Sequence, residues 1–167
     1  MEASISPSTT AFVTSPYRRI LVPHDGSEMS DKALNHALYV AKIANAEIVI
    51  FHVMETDSIP PSTLLAFIKP GEGLAKAREE VRTTFEGAVG RMLEERVQAA
   101  KSSGINSASY KISSGKAADA IVIESEANRY DLIVMASSRI ASSIRALGST
   151  ARRVLDSTKK PVLLVHE

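Results

Sequence analysis

Apolar residues recur along this chain in two rhythms that alternate from end to end. Short, nearly unbroken apolar runs occur at Ile20 to Val22, in "AEIVIFHVMET", in "YDLIVMASS" and in "PVLLVHE". Unbroken runs of this length are what strands covered on both faces of a parallel sheet require. A fifth stretch, "SASYKISSG", alternates weakly and suits an edge strand. Between the runs the apolar spacing changes to that of a helix. From Met29 onward, Leu34, Ala37, Leu38 and Ala41 lie on one face, with Ser27 or Ser30 available as N-cap and an end near Asn45. Val81, Phe85, Ala88 and Met92, with Val89, Leu93 and Val97 one stripe over, predict a long helix that stops at Gly104. Lys116 to Asn128 predicts a shorter helix with Ala118, Ile121 and Val122 on one side. Gly148 to Ser157 predicts a last one with Ala151, Val154 and Leu155 inward.

The resulting order, β-α-β-α-β-α-β-α-β, forces right-handed crossovers and a doubly wound parallel sheet with helices on both faces. No internal repeat interrupts it. The segment from Asp57 to Gly73, "DSIPPSTLLAFIKPGEG", carries three prolines and two glycines around a short apolar centre. It reads as a long excursion off the compact unit, mobile or acting as a lid. Ligands of such sheets sit outside the carboxyl ends of the strands, at the switch point of the winding.

Composition narrows the function. The 167 residues, 44% hydrophobic and 23% charged, fit one domain with a sizeable core. Lys+Arg 20 against Asp+Glu 19 leaves a net charge of +1 without any basic stripe interleaved with aromatics, so nucleic acid is not an expected partner. The absence of cysteine removes disulfides, thiolate nucleophiles and Cys-based metal sites, and fits a reducing cytoplasm. No apolar run reaches the roughly 18 to 20 residues of a membrane span. The start, "MEASISPSTTAFVTSP", lacks the pattern of a secretory signal and reads as a flexible lead-in over residues 1–16, with the domain at 17–167.

Three strand ends are expected to face one crevice: Pro23-His24-Asp25-Gly26-Ser27, His52-Val53-Met54-Glu55 and Met135-Ala136-Ser137-Ser138-Arg139. Asp25 is placed to accept from the hydroxyls of a ribose or from an adenine amino group. From this residue alone, the reading that Asp before Gly makes the turn and caps the helix is favoured. Gly148-Ser149-Thr150 opens a helix whose first N–H groups lack partners and whose dipole favours an anion, while two hydroxyls add donors for phosphate oxygens. On spacing alone, an ordinary N-cap accounts for it equally well. Neither G-x4-G-K-[ST] nor G-x-G-x-x-G after the first strand is present.

"RRILVPHDGSEMSDKAL", "AEIVIFHVMET", "DLIVMASSR" and "LGSTARRVLDSTKKPVLLV" together resemble the universal stress protein family over Tyr17 to Glu167. The resemblance implies a doubly wound five-stranded sheet with strand order 3-2-1-4-5. It further implies an adenine nucleotide, ATP or else ADP or AMP, with Mg²⁺ kept open as a companion ion. Nucleotide-binding members carry G-x2-G-x9-G-[ST] after the fourth strand. Carried over, this implies Asp25 for the ribose, Val53 with Pro23 and His24 lining the base, and Gly148, Ser149 and Thr150 for phosphate. The segment Met135, Ala136, Ser137, Ser138 and Arg139 stands in the phosphate loop. Ala136 takes the place of the first glycine, Ser138 or Arg139 stands near the second, and the loop is one residue shorter.

Two outcomes of that departure compete. Ala136 is tolerable if its φ is negative, with Arg139 or Arg145 supplying charge. Alternatively, added Cβ atoms crowd the phosphates and leave a nucleotide-free interaction dimer. The intact Asp25 and Gly148-Ser149-Thr150 favour a nucleotide-dependent sensor or partner-binding dimer, at most a slow ATPase since no general base is positioned. The apolar strand Pro161 to Glu167 invites edge pairing, and the resemblance implies a homodimer across it. A metal held by His24 and His52 is declined for want of a third ligand, and a Ser137 nucleophile for want of a base. Glu28 and Glu55 are read as surface carboxylates rather than an acid/base pair, and His36 and His166 as solvent-side or edge residues.

Overall fold

The computed structural model describes residues 15–55, 59–137 and 147–166. The expected lead-in up to residue 14 lies outside them. Five strands, β1 (Arg19–Pro23), β2 (Glu47–Met54), β3 (Ala108–Ser114), β4 (Leu132–Ala136) and β5 (Val162–Val165), form one parallel sheet in the order β3-β2-β1-β4-β5. This is the order expected from the sequence. The helices are α1 (Glu28–Ala44), α2 (Pro61–Leu64), α3 (Leu74–Ser102), α4 (Ala117–Ala127) and α5 (Ser149–Ser157), with a 3-10 turn at Leu65–Phe67.

The unbroken apolar runs divide by alternation between two cores, one on each face of the sheet. Ile20, Val22, Ile48, Ile50, Leu132 and Val134 meet α1 and α3 through Ala33, Leu34, Ala37, Leu93 and Val97. Leu21, Val49, Phe51, Ile133 and Met135 meet α4 and α5 through Ala118, Ile121, Ala151 and Val154. Burying an aliphatic side chain of this size contributes about 1.5–3 kcal/mol, so each inner strand contributes to both layers. The ends of α1 follow from local chemistry. Ser27 is the N-cap, its Oγ accepting from the N–H of Ser30, and Asn45 ends the helix in the left-handed region at φ 54°. Tyr130, just before β4, is fully buried, and its hydroxyl donates to Glu124 Oε1 at 3.0 Å while Lys111 Nζ donates to Glu124 Oε2 at 2.6 Å.

Three expectations are corrected. The stretch expected as an excursion off the domain is docked where it is described, since Leu64 on α2 is completely buried where α2 packs against α3. Residues 57 and 58 of that stretch lie outside the described residues. On α3, Val81 is buried but Phe85 is 56% exposed and Ala88 is exposed too. A helix of 29 residues runs about 43 Å, more than the sheet beneath it can cover, so its first part packs on α2 and only the part from Val89 onward meets the sheet. Leu155 on α5 is 38% exposed, because its neighbour Val154 takes the inward position and the next residue lies about 100° around the helix.

Truncating Leu64 therefore removes core volume, whereas truncating Phe85 does not. Leu64→Ala is expected to lower folding stability by about 2–5 kcal/mol, and Phe85→Ala by well under about 1 kcal/mol. Urea unfolding followed by circular dichroism measures both; equal midpoints for the two variants would show that Leu64 is not part of the packed core.

Candidate functional site

β1 has β2 on one side and β4 on the other, and the chain leaves β1 and β4 toward opposite layers of helices. Their loops diverge, and a cavity of about 350 Å³ opens at the carboxyl ends of β1, β2 and β4. Pro23, His24, Asp25, Val53, Met135, Ala136, Ser137, Gly148, Ser149 and Thr150 all line it. Ser138, Arg139 and Arg145 lie outside the described residues.

The loop after β1 is organised around Asp25. Its Oδ1 accepts from the N–H of Ser27 at 2.9 Å and from Ser30 Oγ at 2.6 Å. The turn reading of Asp25 thus holds, and both of these bonds fall on the same oxygen, Oδ1. Burial pushes the Asp25 carboxyl up, yet the hydrogen bonds from Ser27 and Ser30 outweigh it and hold the group below the usual carboxylate range, so it is an anion at neutral pH. Gly26 follows at φ +88°, where a side chain would be strained and a Cβ would meet Met92 Sδ at 3.1 Å.

His24 lines the cavity, and its ring also makes contacts behind the crevice. Its side chain is fully enclosed, with Nε2 2.9 Å from Asp31 Oδ1 of α1. Asp31 in turn takes a two-pronged ion pair from Arg96 of α3, Nε to Oδ1 at 2.9 Å and Nη2 to Oδ2 at 3.1 Å. Burial lowers the His24 pKa, with Arg96 adding to that and Asp31 opposing it. For Asp31, burial raises the pKa but the hydrogen bonds from Arg96 and His24 lower it further than that. His52 donates through Nδ1 to the carbonyl of His24 at 2.7 Å, which ties the ends of β1 and β2 together. No group of three or more potential metal ligands occurs among the described residues.

At the other wall, α5 opens without a side-chain cap, Gly148 standing at the N-cap position. The ordinary-cap reading of Ser149 or Thr150 does not hold. Gly148 donates its N–H to Ser137 Oγ at 3.3 Å, and the helical ladder begins with the Arg152 N–H on the Gly148 carbonyl at 3.0 Å. The N–H groups of Ser149, Thr150 and Ala151 are left without partners among the described residues, which concentrates the positive end of the helix dipole in the cavity. Ser137, whose own N–H donates to the Val165 carbonyl, thus ties the two ends of the 138–147 segment. Among the described residues only Asn45 and Arg129 combine a side chain with positive φ, so the alanine at position 136 carries its Cβ without backbone strain.

The structure adds lining residues that the sequence reading did not name. Phe51 contributes from β2, Met29 and Ser30 from α1, Ala117 and Ile121 from α4. The α4 contribution was foreshadowed by "SSGKAADA", which turns from the end of β3 into a helix on the same side of the sheet. Glu55, read as a surface carboxylate, accepts from the Ala117 N–H at 2.8 Å and so caps α4 from another strand.

A family model described as the universal stress protein family matches residues 16–166. Universal stress protein YxiE of Bacillus subtilis (strain 168) is 30% identical over 152 residues, covering 90% of this chain and 99% of that protein. Universal stress protein MJ0531 of Methanocaldococcus jannaschii is 31% identical, over 90% of this chain and 83% of that protein. In fold, the chain is similar to the solved structure of M. jannaschii protein MJ0577, with a TM-score of 0.72 at 22% identity over 92% of this chain and 98% of that one. Two further structures of the same fold were solved with nucleotides. One is a universal stress protein in complex with cAMP, with TM-score 0.64 and 23% identity over 91% of this chain and 98% of that one. The other is the universal stress protein of Archaeoglobus fulgidus in complex with dAMP, with TM-score 0.57 and 18% identity over 90% and 98%.

Acid is expected to weaken the fold in two stages. The unfolded chain protonates His24 near pH 6.5 while the fold keeps it neutral, so stability falls as the pH drops below about 6.5 toward the lower native value. Asp31 and Asp25 are held ionised below their ordinary 3.8, so their contribution disappears as the pH falls below about 3.8. Chemical unfolding between pH 3 and 8 checks this; a free energy that stays flat from pH 7 to 5 would contradict the His24 part.

Proposed function

This chain belongs to the universal stress protein family, and from that premise we propose that its crevice binds an adenine nucleotide. The observation that carries the reading is the pairing, within one cavity, of the uncapped α5 N-terminus with the ionised carboxylate of Asp25. These two groups match the two polar ends of a nucleotide. Oδ2 of Asp25 accepts from ribose hydroxyls, while the N–H groups of Ser149, Thr150 and Ala151 and the two hydroxyls donate to phosphate oxygens. Between them, Phe51, Val53, Met135 and Ile121 give an apolar wall for the base, with Pro23 at its edge. The cAMP and dAMP held by structures of this fold support the ligand class.

The glycine-poor loop is read as a variant phosphate loop. Ala136 sits at the end of β4 without positive φ, and its single methyl leaves the cavity open. No lysine or arginine among the described residues lines the cavity. Charge balance for ATP or ADP therefore falls in this proposal to the α5 terminus, to Arg139 and Arg145, and to Mg²⁺ carried on the phosphates. The protein acts as a nucleotide-dependent sensor or partner-binding dimer in the cytoplasm. The dimer forms through β5, whose outer edge is unpaired among the described residues and whose Leu163 is 37% exposed.

Calorimetric titration with ATP, ADP and AMP, with and without Mg²⁺, tests the site. Asp25→Ala is expected to weaken binding by about tenfold or more, the loss of one or two charge-assisted hydrogen bonds. Gly148→Val is also expected to weaken binding, because φ −55° and ψ 149° admit valine without backbone strain while its branches fill the phosphate end. Binding unchanged in both variants would remove the nucleotide from this crevice. For the dimer, Leu163→Lys is expected to convert a two-subunit species to monomer in sedimentation velocity, and a wild-type chain that sediments as a monomer at tens of micromolar would rule the β5 interface out.

A further inference from the structure

We propose that His24 is a positioning residue of this crevice, whose neutral imidazole fixes the turn that presents Asp25 and whose protonation releases the turn and the nucleotide. The inference rests on the nucleotide reading given above and adds a regulating input to it.

The geometry determines where the ring carries its proton. Gly26 donates its backbone N–H to His24 Nδ1 at 3.1 Å, and a backbone N–H can only donate. Nδ1 is therefore the bare nitrogen, and the proton sits on Nε2, where it is donated to Asp31 Oδ1 at 2.9 Å, an oxygen that also accepts from Arg96 Nε, 3.4 Å from Nε2. The side chain has no exposed surface, so no solvent replaces either partner. A second proton has one place to go, Nδ1, where it would point at the N–H of Gly26. Two donors then face each other in an enclosed site.

The turn has little freedom to absorb that clash. Gly26 already occupies φ +88° with Met92 Sδ packed against it from α3, and the next N–H, that of Ser27, is committed to Asp25 Oδ1. Behind the ring, Arg96 and Asp31 balance each other in an ion pair. The groups facing His24 are Asp31 from α1, Arg96 from α3, Asp25 on its own loop and, at its carbonyl, His52 from β2. Protonation adds a positive charge beside Arg96, opposed by Asp31 and Asp25, and the ring can retain its Asp31 bond only by giving up the Gly26 turn. Opening that turn displaces Asp25, which precedes it directly. Burial of the ring places this titration on the acid side of an ordinary histidine.

The test follows AMP affinity of the full chain between pH 5 and 8 by calorimetry, for wild type and for His24→Asn, with circular dichroism at each pH to confirm folding. Asparagine offers an acceptor near the Nδ1 position and cannot titrate. In parallel, ¹⁵N NMR follows the His24 ring and the Gly26 amide. The expected result is a wild-type Kd that rises by up to about tenfold per pH unit below the His24 midpoint, a variant that shows only the titration of AMP itself, and a Gly26 amide that moves with the His24 midpoint. The same pH profile in both proteins, or a Gly26 amide that ignores the ring, would overturn the positioning role. No AMP binding at any pH, with the Gly26 amide still following the ring, would instead overturn the nucleotide reading and with it the ligand release, leaving His24 as the holder of the turn alone.

Discussion

Parallel pairing of β1 with β4, Ile20 beside Leu132 and Leu21 beside Ile133, is the contact on which the rest of this molecule depends. β1 is followed by a helix on one face of the sheet and β4 by a helix on the other. Wherever two adjacent parallel strands send their chains to opposite faces, no connection covers the space beyond their ends. The cavity between Asp25 and Gly148 is that space. Both strands can be central only because their runs are apolar on both sides, Ile20 and Val22 into one layer, Leu21 into the other. The same constraint leaves β3 and β5 as edges, more polar in one case and half-buried in the other.

The crevice walls are made by different means. On the β1 side, a single short loop is held by side chains: Asp25 closes its own turn, and His24 is pinned through Asp31 to Arg96. On the β4 side, the backbone itself provides the chemistry, since the first N–H groups of α5 are left open and Ser137 holds the helix start in place. A helix end carries its partial charge wherever it goes, so this wall tolerates changes of sequence that would abolish a side-chain site. Ala136 lines the cavity at this wall, and its φ is not positive, so its methyl is carried without backbone strain.

α3 reaches from the loop after β1 to α2. Its Met92 and Arg96 sit under the β1 loop, and its first part rests on α2 beside the buried Leu64. Leu65, Phe67 and Phe85 are exposed apolar residues of this part of the chain.

Hydrophobic patterning determined the fold class and which strand ends face one another, because burial on both faces leaves short unbroken apolar runs bounded by turn signals, while the family resemblance supplied the strand order. It also exposed the candidate residues at those ends, from Pro23 to Thr150. Local patterning did not show that Phe85 and Leu155 are exposed, since periodicity gives the face of a helix and not how much of its length finds a partner. Nor did it show His24 as a buried group joined to Arg96, 72 positions away, or Glu55 capping a helix 62 positions on. Such contacts join side chains that carry no common spacing. They exist because the fold brings the loop after β1 beside α3 and β2 beside α4, and only the tertiary structure decides which polar group finds itself without water and must take the nearest partner.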